Sequence, residues 1–181
     1  TPEAKGMIRS LFLSMQDLSK GASRPAGYPT YEIKKAIVVG AGLMGAGIAY
    51  VQAKAGIATV LLDVSQESAD KGKDYSRKIV DKDVSRGKMS KEKGEALLAV
   101  TKPSTDYTLV NGADIVVEAV FENSELKAQV TQKIEVELGP NAVMGTNTST
   151  LPITGLAKAS QRPANFIGIH FFSPVDKMNL V

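Results

Sequence analysis

The sequence predicts an α/β fold with a doubly wound, mostly parallel sheet. Three observations predict it: strand and helix patterns alternate from residue 32 onward, each strand candidate is a nearly continuous apolar run, and a glycine-rich turn joins the first strand to the first helix. Continuous apolar runs indicate strands that helices cover on both faces. Right-handed crossovers between such strands give a doubly wound sheet.

The composition indicates a globular protein and excludes several classes. Lys and Arg number 22 against 19 Asp and Glu, and this excess is too small to indicate nucleic acid binding. Without cysteine there is no disulfide, thiol nucleophile or thiolate metal site, and we predict no bound metal. No apolar run reaches the roughly 20 residues that span a bilayer, and the N-terminus lacks a signal-peptide pattern, so we expect a cytoplasmic protein without a transmembrane segment.

Residues 1–31 are predicted to form a separate helix and linker, and residues 32–181 the main domain. Apolar residues recur on one helical face of the first segment: Met7, Ile8, Leu11, Phe12, Met15 and Leu18. GASRPAGYPTY follows and is typical of a linker. Because Thr1 is not a start methionine and the chain stops in an apolar run, we expect a fragment of a longer protein.

The elements of the main domain follow from the apolar runs and the breaks between them. Strands are predicted at Ala36–Gly40, Ala58–Asp63, Asp114–Val120, Ala142–Asn147 and Asn165–Phe172. Helices are predicted at Leu43–Ala55, Ser65–Val80, Ser90–Ala99 and Ser124–Leu138. The second and third helices form an inserted helical hairpin after the second strand.

Four glycines lie where the first strand gives way to the first helix: Gly40, Gly42, Gly45 and Gly47. A glycine in a helix interior costs roughly 1 kcal/mol relative to alanine, so folding alone does not account for them. GAGLMG fits the G-x-G-x-x-G pattern, follows a strand and opens a helix, which together indicate a Rossmann-like dinucleotide site. We expect Gly40 to permit the turn, Gly42 to admit a pyrophosphate and Gly45 to allow close packing of the helix.

Asp63 decides between the two nicotinamide cofactors. It ends the second strand, eighteen residues after Gly45, where a carboxylate accepts hydrogen bonds from the adenosine ribose. The same carboxylate repels a 2′-phosphate, and the following VSQES supplies no Arg to bind one. The sequence therefore predicts NAD rather than NADP.

Two further stretches, VVEAVFENSELK (116–127) and IHFFSPVDKMNLV (169–181), carry a family resemblance. With GAGLMGAGIA they resemble the NAD-binding domain of the L-3-hydroxyacyl-CoA dehydrogenases of fatty acid β-oxidation. The N-terminal helix and linker resemble the segment that joins a hydratase domain to the dehydrogenase in multifunctional fatty acid oxidation proteins. The resemblance implies an acyl-CoA substrate, further hydratase and C-terminal dehydrogenase domains, and a thiolase subunit as partner in the intact complex.

By motif, the family's catalytic histidine corresponds to His170, the one histidine in the chain. In the family it takes the proton of the substrate's 3-hydroxyl while hydride leaves for the nicotinamide. An imidazole with a pKa near 6.5 suits that task. A glutamate that orients this histidine in the family comes just after the Leu-Val that ends this chain. We therefore expect a chain that folds and binds NAD but turns over acetoacetyl-CoA poorly or not at all.

The resemblance assigns further residues to the site, and each also has a plain structural reading. Ser149 matches a serine near the substrate's 3-oxygen, but also suits a helix cap or turn. Glu122 and Lys127 match cofactor positions, but as unaided sequence they look like exposed charges at a helix start. The other cofactor-site assignments are Met44, Val120 and Ser173, the last replacing the Asn of many members.

Two alternatives stay open on sequence alone. A related dehydrogenase of the same fold could act on 3-hydroxybutyryl-CoA or on a 3-hydroxy acid without CoA, and a dinucleotide-binding module could serve as a sensor.

Nine basic and four acidic residues lie in the hairpin between Lys71 and Lys93. In the family this region leans over the acyl-CoA, although such a run usually marks a solvated face.

Overall fold

The computed structural model describes residues 1–181, which form two compact units, Thr1–Glu32 and Ile33–Val181. The first unit is helical from Pro2 to Ser19, with α1 at Pro2–Met7, a π-helical stretch at Ile8–Leu13 and α2 at Ser14–Ser19. Its apolar side chains are exposed within this unit. None of the helices in the chain combines the length and apolar character that crossing a membrane requires.

The second unit is built on a six-stranded sheet in which every neighbouring pair is parallel. The strands lie in the order β3-β2-β1-β4-β5-β6. Their bounds are Lys35–Val39 (β1), Ala58–Leu62 (β2), Thr101–Ser104 (β3), Ile115–Glu118 (β4), Val143–Thr146 (β5) and Phe166–Gly168 (β6). The crossing between β1 and β4 reverses the strand order, which is where ligands bind in such sheets. The predicted doubly wound fold is confirmed.

Helices connect the strands and supply the two covering layers. They are α3 at Leu43–Lys54, α4 at Gln66–Ser85, α5 at Lys91–Val100, α6 at Ser124–Glu135 and the short α7 at Ile153–Leu156. Three of the four long helices begin at a side-chain cap, formed by Ser65, Ser90 and Asn123. These caps fix where the helices start because each accepts an otherwise unpaired main-chain N–H.

The two faces of the sheet bury alternate residues of the central strands. Val38, Leu61 and Val117 pack with Ile48 and Ala49 of α3 on one face. On the other face, a cluster includes Ile37, Leu62, Val116, Met144 and Ile134 of α6. This alternation explains why the central strands are apolar throughout, since neither side of the sheet meets water.

Two strand predictions differ from the structure. The strand β3, with sequence TKPS, was not predicted, because it is short and carries Lys, Pro and Ser. Pro103 is tolerated there because β3 is an edge strand. The last predicted strand extended to Phe172, but β6 ends at Gly168, since beyond Ile169 side-chain partners replace the sheet's hydrogen bonds.

Packing within the chain accounts for three of the four glycines in the first turn and helix, which corrects the expectation that folding does not. A Cβ at Gly45 would lie 1.7 Å from the carbonyl oxygen of Gly40, and one at Gly47 would lie 2.9 Å from the Val175 side chain. Gly40 has φ +95° and would place a Cβ 2.7 Å from the Ala119 carbonyl oxygen. Gly42 differs, because nothing lies within 4 Å of its Cβ position.

A pair of matched substitutions tests this distinction. Gly45→Ala is expected to lower the free energy of unfolding by about 3 kcal/mol or more, since the new methyl cannot fit without moving α3 off the sheet. Gly42→Ala enters open space and is expected to change stability by less than about 1 kcal/mol. Urea unfolding of both variants measures the difference, and similar losses in the two would contradict the packing argument.

Candidate functional site

A cleft of about 350 Å³ opens beside the carboxyl ends of the central strands. It is lined by Met44, Ala119, Val120, Glu122, Asn147, Ser149, His170, Phe171, Phe172 and Ser173. Six of these were predicted as site residues: Met44, Val120, Glu122, Ser149, His170 and Ser173. The structure therefore brings together residues that are more than 120 positions apart in the sequence.

The glycine-rich loop and the start of α3 form one wall of this region. No side chain caps α3, whose N-cap position is Gly42, so the N–H groups of its first turn stay free for a ligand. Asp63 supports the loop, because its carboxylate accepts hydrogen bonds from the main-chain N–H of Ala41 (2.6 Å) and of Val64 (2.7 Å). Each of its oxygens keeps capacity for a further donor.

His170 lies in the segment after β6, exposed at the cleft. Its Nδ1 is 3.2 Å from the main-chain carbonyl oxygen of Thr148. A carbonyl only accepts, so Nδ1 carries the proton of the neutral ring and Nε2 keeps its lone pair. The main-chain N–H of Phe171 donates to the side chain of Asn147 at 2.8 Å, and the Phe172 ring meets the imidazole edge-on at 4.9 Å. These contacts fix the ring and leave Nε2 available as a base.

Glu122 organises the turn that follows β5. Its Oε1 accepts hydrogen bonds from the hydroxyl of Thr148 (2.5 Å) and from the main-chain N–H groups of Ser149 (2.8 Å) and Thr150 (3.0 Å). Partial burial by itself raises the pKa of Glu122, but these hydrogen bonds and the charge of Lys127 outweigh it and hold the pKa well below its usual range. Glu122 is therefore an anion that fixes the Ser149 main chain.

Beneath the cleft lies a buried ion pair that sequence reasoning did not find. Lys127 is 2% exposed and its Nζ is 2.8 Å from Oε1 of Glu118, which is 1% exposed. The hydroxyl of Thr146 (2.7 Å) and the main-chain N–H of Val120 (2.7 Å) also donate to the Glu118 carboxylate. The sequence feature that could have revealed this pair is Glu118, the acid that ends the apolar run DIVVE. An acid in a buried strand needs a buried partner, because carboxylates are rarely buried alone.

The remaining predicted residues lie around the cleft rather than on it. Gly40, Gly42, Gly45 and Asp63 form the adjoining loop and strand end, outside the residues that line the cleft. The reading of Lys127 as an exposed charge is wrong, because Glu118, Glu122 and the carbonyl of Val120 surround its ammonium group. It sits below the cleft floor and is not one of the residues that line the cleft.

A second cleft, of about 560 Å³, lies between α3, α4 and the segment after His170. Two acidic side chains line it, Asp83 and Asp176. They are outnumbered by six cationic side chains: Lys54, Lys78, Lys82, Arg86, Lys88 and Lys177. Of the hairpin charges, Arg77 instead lies 3.8 Å from Asp74 at the surface. Burial and the hydrogen bond that its hydroxyl donates to Asp176 (2.8 Å) raise the pKa of Tyr75 to about 12. This cleft is suited to an anionic ligand.

Comparison with known families agrees with this geometry. Residues 35–181 match the family described as 3-hydroxyacyl-CoA dehydrogenase, NAD binding domain. The chain belongs to this family. The resemblance stated from the motifs is thereby confirmed, and so is the predicted cofactor, NAD.

Curated relatives of this 3-hydroxyacyl-CoA dehydrogenase domain include two fatty acid oxidation complex alpha subunits. The one from Shewanella amazonensis is 42% identical over 182 residues, which cover 100% of this chain and 26% of the relative. The one from Shewanella frigidimarina is 42% identical over 175 residues, covering 96% of this chain and 24% of the relative. The chain thus spans about a quarter of the length of these relatives.

Solved structures of similar proteins share the fold. (S)-3-hydroxybutyryl-CoA dehydrogenase from Ralstonia eutropha superimposes with a TM-score of 0.78 at 37% identity, covering 81% of this chain and 52% of that protein. A 3-hydroxybutyryl-CoA dehydrogenase from Escherichia coli K12 gives a TM-score of 0.78 at 34% identity, with 82% and 31% covered.

The buried pair beneath the cleft can be compared with an exposed pair in the same chain. Lys127→Met is expected to lower the free energy of unfolding by about 3–5 kcal/mol, because it leaves the Glu118 carboxylate buried without its cation. Lys71→Met removes the partner of Glu67, 2.7 Å away on the surface of α4, and should cost less than about 1 kcal/mol. Urea unfolding of both variants measures this, and comparable losses would contradict the assignment.

Proposed function

We propose that this chain supplies the NAD site and the general base of an enzyme that oxidises L-3-hydroxyacyl-CoA to 3-ketoacyl-CoA. The observation that carries the proposal is His170, held through Nδ1 at the edge of a cleft that adjoins an open glycine loop. The family description, 3-hydroxyacyl-CoA dehydrogenase, supports this reaction, and the relatives named as fatty acid oxidation complex alpha subunits support its place in fatty acid oxidation.

Gly42 is our candidate for the position where the cofactor's pyrophosphate meets the main chain. Packing accounts for its neighbours Gly40 and Gly45, but the space beside Gly42 is open. A side chain there would fill that space. The free N–H groups at the start of α3 and the positive end of its helix dipole attract an anion. These features support a phosphate group against this turn.

Asp63 is our candidate for the ribose contact. Its carboxylate is already oriented by the N–H groups of Ala41 and Val64, and each oxygen can accept another hydrogen bond. The negative charge disfavours a 2′-phosphate at the same position. This supports discrimination in favour of NAD over NADP.

In the proposed reaction, Nε2 of His170 accepts the proton of the substrate's 3-hydroxyl. NAD, when bound, supplies the hydride acceptor at its nicotinamide ring. The imidazolium that results still donates from Nδ1 to the Thr148 carbonyl, so the ring keeps its orientation when it gains charge. Ser149 lies in the turn that Glu122 fixes. Its hydroxyl donates to Oε1 of Glu122 at 3.3 Å, and its oxygen can accept a hydrogen bond from the 3-hydroxyl.

The cationic second cleft supports a substrate that carries CoA rather than a free hydroxy acid. Six cationic side chains suit the phosphates of a nucleotide, and guanidinium groups such as that of Arg86 bind phosphate in a bidentate manner. We further propose that the intact protein is cytoplasmic, carries hydratase and C-terminal dehydrogenase domains, and works with a thiolase subunit. The names of the alpha-subunit relatives support its membership of a larger complex.

Cofactor binding can be measured directly on the 181-residue chain. NADH fluorescence is expected to change on titration, and NADPH should bind at least tenfold more weakly because Asp63 repels its 2′-phosphate. Gly42→Val should weaken NADH binding by tenfold or more while the circular dichroism spectrum is unchanged. Equal affinity for the two cofactors, or a Gly42→Val chain that binds normally, would contradict the proposal.

The second cleft can be tested with adenosine 3′,5′-bisphosphate, which carries phosphates like those of the nucleotide end of CoA. Replacing Lys82 and Arg86 together by Ala should weaken its binding by tenfold or more in calorimetric titration, because both cations face the cleft. Replacing Lys91 and Lys93 by Ala removes the same charge from the exposed start of α5 and serves as the control. Equal losses would indicate general surface charge rather than a site.

A further inference from the structure

Glu118 is buried, paired with Lys127 and unused by the proposed chemistry. It ends β4, and its carboxylate is 2.8 and 3.1 Å from Nζ of Lys127 on α6. It also accepts from the hydroxyl of Thr146, which ends β5, and from the main-chain N–H of Val120. One side chain therefore connects the ends of two strands, one helix and a residue of the cleft wall.

A continuous series of polar contacts leads from Glu118 to the imidazole. Nζ of Lys127 is 3.4 Å from Oε2 of Glu122, so the same ammonium group contacts both carboxylates. Oε1 of Glu122 accepts from the hydroxyl of Thr148 at 2.5 Å, and the carbonyl of Thr148 is 3.2 Å from Nδ1 of His170. Every link is within contact distance, and the first half of the series is shielded from solvent.

We propose that Glu118 is a positioning residue: it holds Lys127 and Thr146 beneath the cleft floor, and thereby fixes the Glu122–Thr148 contact that keeps His170 in its Nδ1–H form. This inference rests on the proposed role of His170 as the general base. Without the Glu118 charge, the ammonium group of Lys127 pairs fully with Glu122. That pairing draws Glu122 away from the turn at Thr148, and the carbonyl that selects the tautomer is no longer fixed.

The tautomer can be observed directly because the chain contains one histidine. With ¹⁵N-labelled histidine, the two ring nitrogens of the neutral imidazole give separate signals that report which of them is protonated. The wild-type chain is expected to show a protonated Nδ1 and an unprotonated Nε2. In Glu118→Gln, which keeps the shape of the side chain, both signals should move toward the average of the two tautomers.

Glu135→Gln is the matched control. Its carboxylate also anchors a turn, through the hydroxyl of Ser160 and the N–H of Gln161 (2.8 Å), but has no contact with the series that ends at His170. The control should show the wild-type histidine spectrum. A folded Glu118→Gln chain with the wild-type spectrum, or equal changes in the two variants, would overturn the proposal.

A second variant separates positioning from stability. If Glu118→Gln does not fold, the combined Glu118→Gln/Lys127→Met variant is used instead. It removes both buried charges, so no ammonium group is left buried without its partner. Because no ammonium group is left to draw Glu122 from the turn at Thr148, the proposal predicts that this variant folds and shows the wild-type ring signals, whereas averaged ring signals would overturn it. The spectrum requires no cofactor, so failure of the wild-type chain to bind NADH would count against the proposed function and leave this test unaffected.

Discussion

The close packing of α3 on the end of β1 is the constraint on which the rest of the domain depends. The helix can lie this near only because Gly45 has no side chain to meet the carbonyl oxygen of Gly40. Its first turn then faces the carboxyl ends of β2 and β4, so Asp63 reaches the main chain of Ala41. The dinucleotide site that we propose here depends first on main-chain geometry and then on the side chains around it.

The opposite side of the cleft is organised by charge. Glu118, Lys127 and Glu122 place two carboxylates around one ammonium group, and hydroxyl and main-chain donors complete their hydrogen bonds. Such a cluster contributes little net stability once desolvation is included, but each member is costly to remove singly. The main effect of the cluster is to orient its neighbours, because it joins the ends of β4 and β5 to the turn beneath His170.

The sequence predicted the sheet well where strands are buried on both faces. Runs such as AIVV and DIVVE depend on burial alone, so the pattern indicates them directly. It failed at TKPS, which is a strand only because β2 offers it hydrogen bonds, and at IHFF, whose apolar residues leave the sheet. In both cases the deciding partners are distant in sequence.

The candidate site, like the sheet, contains residues that the sequence indicated and residues that it did not. Fixed spacing indicated the glycine loop and Asp63 as candidate ligand contacts, and the family resemblance of the surrounding segment indicated His170. The roles of Lys127 and Glu118 depend on a contact between a strand end and a helix nine residues later, so no local pattern reveals that the lysine is buried. Asn147 and Thr148 were also missed, since their contacts with the His170 segment follow from the tertiary fold.

We propose that a diphosphate lies against the main chain at Gly42 while Asp63 binds the adenosine ribose. A crystal structure of this chain with NAD tests it most directly. We expect phosphate oxygens about 3 Å from the main-chain N–H groups of the first turn of α3, and ribose hydroxyls at hydrogen-bond distance from Asp63. A cofactor bound elsewhere, or a phosphate group seated beside Asp63, would contradict it.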